Sequence, residues 1–376
     1  MEFNALQVQG HGFAVFPEAR IYNTPGEKSI QHLLFGDYIS PPKSSTNRKW
    51  DATHAVQYKG STWINVRSRG EDGWIKLSDI QLNRTLEVNF VDIGQGDGCH
   101  VVTPSDEHFI IDAGESDNMY RFLRWRFNLN AIKKPLPPFT AVISHSDEDH
   151  FKGFTKLFAN PSDETKRKLP FKQIYHNTII QRPASSLGDS VILSGVKYLK
   201  DFTDTKAKLQ SILTASVKKS NYQKLLDDAL RNDPQIKVDG LYKIMGEENI
   251  IYNDGKLKLE VLAPIAEKVK IDGSNQHALR WFSDDVGKTK NGHSVVIMAH
   301  IGKLKVLLGG DLNSKSADFI MSQYSGEKLE EYKIELEKAN TDAERKLALE
   351  SIDRVIKACQ PTFRCEVAKA CHHGSH

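Results

Sequence analysis

Thr140-Ala141-Val142-Ile143 is a short apolar run that stops on Ser144 and continues as His145-Ser146-Asp147-Glu148-Asp149-His150. Two imidazoles and three carboxylates within six residues repel one another unless charge compensates them, and divalent cations are the natural compensation. On such a loop the side chains at 145, 147 and 149 converge on one side and His150 turns toward a neighbouring centre. A solvated acidic loop is the plain alternative, but the pattern recurs. His108-Phe109-Ile110-Ile111 ends on Asp112, Leu307-Leu308 ends on Gly309-Gly310-Asp311, and Ala370-Cys371-His372-His373-Gly374-Ser375 ends on tandem histidines. Apolar strands that each end on a polar cluster describe an α/β layered domain with its site at the strand tips.

Before Thr85 the texture differs. Ala14-Val15-Phe16, Arg20-Ile21-Tyr22, Tyr38-Ile39, Trp63-Ile64-Asn65-Val66 and Trp74-Ile75-Lys76-Leu77 are β-rich runs bounded by Gly, Pro and Asn, with a polar loop at 41–47 and no helical period. Residues 1–84 are therefore expected to form a small β-barrel domain and residues 85–376 a larger α/β domain. Two domains suit 376 residues at roughly 150 residues each. Residues 119–130 are expected to be helical. Residues 200–235 (Leu209, Ile212, Leu213, Val217, Leu225, Leu226) and 316–358 (Leu329, Tyr332, Leu336, Leu347, Ile352, Val355, Ile356, Cys359) carry apolar side chains at spacings of three and four, which predicts amphipathic helical insertions.

With 39% hydrophobic and 26% charged residues, wholesale disorder is excluded. No stretch approaches the ~18 apolar residues of a membrane span. The N-terminus lacks a basic region followed by an apolar run, so a secretory signal is not expected. Four cysteines without a C-x-x-C pair make neither a disulfide framework nor a common zinc spacing, and a reducing, cytoplasmic location is expected. A formal charge of +3 is compatible with a nucleic-acid partner without arguing for one. The basic runs at 166–168 and 218–219 ordinarily mark solvated faces.

Taken in order, these segments resemble the metallo-β-lactamase superfamily, and most of all its hydrolase branch named for the DNA-uptake protein ComEC. Val91-Asp92-Ile93-Gly94-Gln95-Gly96-Asp97 resembles the branch's opening signature and Ile111-Asp112-Ala113-Gly114 its following strand. His145 to His150 resembles the branch's His-x-Asp-x-Asp-His, where most of the superfamily has His-x-His-x-Asp-His. Asn291-Gly292-His293-Ser294, Gly310-Asp311 and Lys369-Ala370-Cys371-His372-His373-Gly374-Ser375 resemble the last three motifs. Residues 1–84 are similar to the bacterial Src-homology-3-type barrel, in which a Trp-x-x-Val strand precedes a Gly-Trp-Ile turn.

The resemblance implies an αββα sandwich with one or two divalent ions, zinc or manganese. By motif, His145 and Asp147 would bind the first ion, Asp149 and His150 the second, and Asp311 would bridge them. His373 or His372 would complete the second, and Asp112 would orient a ligand. The third motif departs from the pattern, offering both Asn291 and His293 as ligand candidates. His176 lies at the next strand end. Asp147 in place of an imidazole hardens the site and tilts it toward manganese. Asp149 and Asp112 are the catalytic candidates, and Asn291, Ser294 and Ser375 the candidate substrate contacts. The chain stops at His376, where relatives usually continue for another strand and helix, a departure that a truncation would account for.

The implied activity is hydrolysis by a metal-activated hydroxide, on a phosphodiester of DNA or RNA. The alternatives are a small ester, lactone, thioester or phosphorylated molecule, or a non-catalytic scaffold. No side-chain nucleophile is evident, since Ser146 and Ser375 lack a Gly-x-Ser-x-Gly context. A nuclease needs a basic groove leading to its metals, and the runs at 166–168 or 218–219 would have to line it. The first domain would then recruit substrate or a protein partner.

Overall fold

The computed structural model describes residues 2–127, 129, 136–160 and 167–369. The chain divides into two compact units, Met1–Leu86 with Thr103–Asp106, and Glu87–Val102 with Glu107–His376.

In the first unit, five antiparallel strands run in the order Ser29–Leu34, Glu18–Tyr22, Glu71–Lys76, Ser61–Ser68, Ala55–Tyr58, and a smaller sheet pairs Tyr38–Ile39, Gly12–Ala14 and Ile80–Gln81. Alternation decides which residues face inward: Ile64, Val66 and Ile75 are fully buried with Ile21, Leu33 and Ile39, while Arg20, His32, Leu34 and Tyr38 face out. A helix, Phe3–Gln9, precedes the strands and buries Leu6 in the same core. The sequence showed no helical period here because seven residues are fewer than two full turns.

The second unit is mixed α/β and has the four-layer order expected of it. A six-stranded sheet runs Lys237–Gly240, Phe171–His176, Phe139–Ile143, His108–Ala113, Gly98–Val102, Glu87–Phe90. The first four strands are mutually parallel, so their carboxyl ends share one edge. A five-stranded sheet runs Ile250–Asn253, Leu257–Ala263, Val296–Ile301, Leu304–Leu308, Val367–Ala368. The helices Asn118–Phe127, Phe154–Phe158, Lys206–Ala215 and Asn221–Asn232 cover one face of the first sheet, with Leu123, Leu157, Leu209 and Leu226 packed on Ile110, Ala141, Ile143 and Ile174. Ser314–Ser325 covers the outer face of the second sheet through Ile320 and Phe319 against Leu262, Val296 and Met298. The remaining faces meet each other: Phe109 stacks edge-on to Tyr252, with ring centres 5.7 Å apart. Strands covered on both faces have no polar side to alternate with, and every residue of Phe139–Ile143 is buried. That run could therefore end on a polar cluster without carrying polar residues within it.

Both expected insertions are helical. Leu209, Leu213, Leu225 and Leu226 are buried, as are Leu329, Val355 and Cys359 from the helices Leu329–Lys338 and Asp342–Phe363. Val217 is fully exposed because it lies between two helices, and Leu347 and Ile356 of the expected apolar positions are exposed on Asp342–Phe363. No helix among the described residues is long and apolar enough to cross a membrane.

Candidate metal centre

Ser144 to His150 leaves the carboxyl end of Phe139–Ile143 and turns at once into the short helix Glu148–Phe151. That turn brings His145 and His150 together with ring centres 4.1 Å apart, both wholly buried. Asp311 arrives from the end of Leu304–Leu308, its backbone N–H held by Ser294 Oγ at 2.9 Å. One ligand atom from each of His145, His150 and Asp311 falls within 4.8 Å of the others. Asp97, Asp112 and His150 form a second such group.

The hydrogen bonds orient both imidazoles. Ser144 spends its hydroxyl proton on Asp112 Oδ2 at 2.6 Å, and Ser294 spends its own on the Asn291 carbonyl at 2.8 Å. Both hydroxyl oxygens lie near His145 Nδ1, at 3.1 and 3.2 Å, so the ring nitrogen must donate. His145 Nε2 is then a bare lone pair, buried and without a hydrogen-bond partner, 3.3 Å from Asp147 Oδ2. In the same way His150 donates from Nδ1 to Asp112 Oδ2 at 2.8 Å, which turns Nε2 toward Asp311 Oδ1 at 3.3 Å. Each Nε2 faces a carboxylate oxygen, and such a pair attracts only with a proton or a metal cation between its members.

Without an ion, a proton fills the second gap. Burial alone would lower His150, but Asp112 and Asp311 outweigh it and push the imidazole up to about 10. His145 goes the other way, since burial and the neighbouring His150 hold it down. Asp147 would be raised by burial, yet the charges around it, the Lys290 ammonium among them, hold its carboxyl well below the usual carboxylate range.

Asp112 is fully buried, adopts a left-handed φ of 55°, and accepts from Ser144 N, Ser144 Oγ and His150 Nδ1. Asp97, part of the opening signature but not singled out in the sequence, lies in the second group and pairs with Lys369. Gly96 beside it has φ +97°, and a Cβ there would lie 1.8 Å from the Asp149 carbonyl oxygen, so only glycine lets this turn lie on the loop. His150 commits Nδ1 to Asp112, which leaves Nε2 for the first group.

The other sequence candidates are placed as follows. Asp149 lies outside both groups, its carbonyl accepting from Asp97 N at 3.3 Å. Asp147 is also outside them by that measure but borders His145. His293 is turned away: its Nε2 meets the Arg280 carbonyl at 2.6 Å and its ring packs on Phe282. Ser294, expected as a substrate contact, is wholly buried and supports His145 and Asp311 instead. With its side-chain amide turned so that the nitrogen faces these acceptors, Asn291 donates to Asp147 Oδ2 at 2.8 Å and to Gly287 O at 2.9 Å. His372, His373 and Ser375 lie outside the described residues. Of the basic runs, Lys168 is spent on the Asn232 carbonyl and Lys219 on Asp227, and Lys166 lies outside the described residues.

His176 belongs to neither group, and neither of its ring nitrogens has a hydrogen-bond partner. Burial pushes both His176 and His293 down to about 4. Depressed folded values mean that their contribution to stability is complete above the ordinary ~6.5 and is lost as pH falls through 4. The melting temperature should therefore fall between pH 6.5 and 4, and His176→Leu should flatten part of that fall. A variant that loses stability in parallel with wild type would contradict this.

No family model matches the chain, and no curated protein sequence does. Solved structures that align with it include Zn(2+)-bound PqqB from Methylobacterium extorquens, at 10% identity and a TM-score of 0.30, covering 61% of this chain and 57% of that one. A metallo-β-lactamase from Cronobacter sakazakii with a HARLDQ motif aligns at 11% identity and a TM-score of 0.28, covering 73% and 67%. A mutant of that motif aligns at 12% identity and 0.30, covering 76% and 77%. The chain thus spans 57% of the length of PqqB, and its own residues must carry any statement of what it does.

Proposed function

We propose that the chain is a metal-dependent hydrolase acting on phosphodiesters, with a DNA or RNA strand as the substrate class. One observation carries the reading: the buried Nε2 atoms of His145 and His150 each face a carboxylate oxygen across 3.3 Å. His145 Nε2, His150 Nε2 and Asp311 would hold a divalent ion, with Asp147 Oδ2 beside them. When bound, such an ion supplies a water whose pKa falls from ~15.7 toward ~7, and an electrophile for a phosphoryl oxygen.

The protein's part is positioning. Asp112 orients the His150 ring, and Ser294 ties His145 to the backbone of Asp311, so that the donors are set before substrate arrives. The carboxylates make this donor set harder than an all-imidazole one, which suits manganese as well as zinc and suits phosphoryl oxygens. The first unit, Met1–Leu86, is proposed as the module that recruits substrate or a protein partner.

A second reading, hydrolysis of a small ester, lactone or thioester, is favoured by one observation. Lys168 and Lys219 are spent on contacts within the protein and do not build the basic track a long polyanion needs. Protein loaded with manganese or zinc should be assayed on bis(p-nitrophenyl) phosphate, a single-stranded oligonucleotide, p-nitrophenyl acetate and a lactone. Metal-dependent cleavage of both phosphodiesters is expected. Cleavage confined to the ester or lactone would replace the first reading with the second.

A further inference from the structure

Lys290 is 7% exposed, although lysine is almost never fully buried unless paired. Its Nζ pairs with Asp147 Oδ1 and has Gln181 Oε1 as a second acceptor at 3.4 Å. The next residue, Asn291, donates to the other oxygen of the same carboxylate. Their helix, Val286–Gly292, is held in place. Asp285 caps the Gly287 N–H at 2.8 Å, Asn313 donates to the Lys288 carbonyl at 2.7 Å, and Thr289 Oγ1 accepts from Phe282 N at 3.1 Å. Asp147 is thus gripped at both oxygens from one side, and Oδ2 is the oxygen beside His145 Nε2.

The geometry points to Lys290 as a positioning residue that confines Asp147 to a single donor oxygen and holds down the affinity of the His145, His150 and Asp311 group for a divalent ion. An ammonium on Asp147 cancels one negative charge next to the group, and in a buried site that loss is poorly screened. An ion there is held less tightly and exchanges more readily, and it acidifies its water more strongly because less ligand charge reaches it. The inference rests on reading the group as a divalent-cation site.

The sign of the effect separates this role from a structural one. Removing an ordinary outer-shell partner costs roughly 10–100-fold in metal affinity, whereas removing Lys290 should raise affinity. Dissociation constants for manganese and zinc should be measured by competition with a chromogenic chelator, on full-length wild type, Lys290→Gln and Lys290→Arg. Glutamine keeps an N–H for Asp147 and removes the charge, so it should bind at least about tenfold more tightly, of the order by which such partners move affinity. Arginine should stay near wild type. Unchanged or weaker binding by a folded Lys290→Gln overturns the inference and leaves the cation site standing. A Lys290→Gln that fails to fold while Lys290→Arg folds also overturns it, since Lys290 would then be a scaffold residue. Wild type that binds neither ion refutes the cation site itself.

Discussion

Replacing Asp311 with asparagine is expected to lower metal-dependent hydrolysis by at least ~100-fold, the scale of losing one preorganised electrostatic contact, while leaving the fold intact. The backbone of Asp311 is held independently of its carboxylate, by Ser294 Oγ on its N–H, so asparagine can occupy the same place. What disappears is the negative charge opposite His150 Nε2, and with it a donor that a divalent ion requires. Asp149→Asn is the informative comparison. The resemblance would make Asp149 a ligand of a second ion, whereas the geometry leaves it outside both ligand groups, so its loss should be smaller. Glu148→Ala should change little, because that carboxylate is spent on Lys152 and Asn221 at the surface. Steady-state rates at saturating metal check the order. Full activity in Asp311→Asn would remove Asp311 from the site.

Asp112→Ala should be the most damaging single change to stability, by about 3–5 kcal/mol, as for breaking a buried charged pair. Three buried donors converge on this one carboxylate: the Ser144 N–H, the Ser144 hydroxyl and His150 Nδ1. Alanine leaves all three without their acceptor, and an unsatisfied buried donor costs far more than a hydrogen bond gains. It also sits poorly at the left-handed φ of 55°, a region Asn and Asp tolerate better than most residues. Asp112→Asn, which keeps shape and φ, should recover part of the loss without restoring the charge. Denaturant unfolding of metal-free protein measures both. Wild-type stability in Asp112→Ala would mean that Asp112 does not organise this site.

The sequence made the layered domain legible because sheets covered on both faces read as unbroken apolar runs, and such runs stop where the chain leaves the core. Phe139–Ile143 followed by His145 is the clearest case. The donors at 145, 150, 311 and 112 could be named from local pattern for the same reason. Their supports could not. Lys290 meets Asp147 across 143 positions and Lys369 meets Asp97 across 272, and in sequence a lysine reads as a surface residue. His293 was ambiguous because its partner is a backbone carbonyl, which no side-chain pattern announces. Ser294 read as a substrate contact since serines at strand entrances are often exposed, yet the packing of two sheets buries it completely. The helix Phe3–Gln9 and the hairpins Ser190–Leu193 with Val196–Leu199 and Glu267–Ile271 with Ser274–Ala278 were too short to show a period.

A cation is proposed between the two imidazoles and their carboxylates. Divalent ions per chain, counted by elemental analysis after loading with manganese or zinc and removal of excess, test it most directly in wild type and in the His145→Ala, His150→Ala double variant. Wild type should retain at least one ion per chain and melt at a lower temperature after chelation, since binding to the native state alone stabilises it, and the double variant should retain none. A wild type that keeps no ion, or a double variant that keeps as many, would contradict the claim.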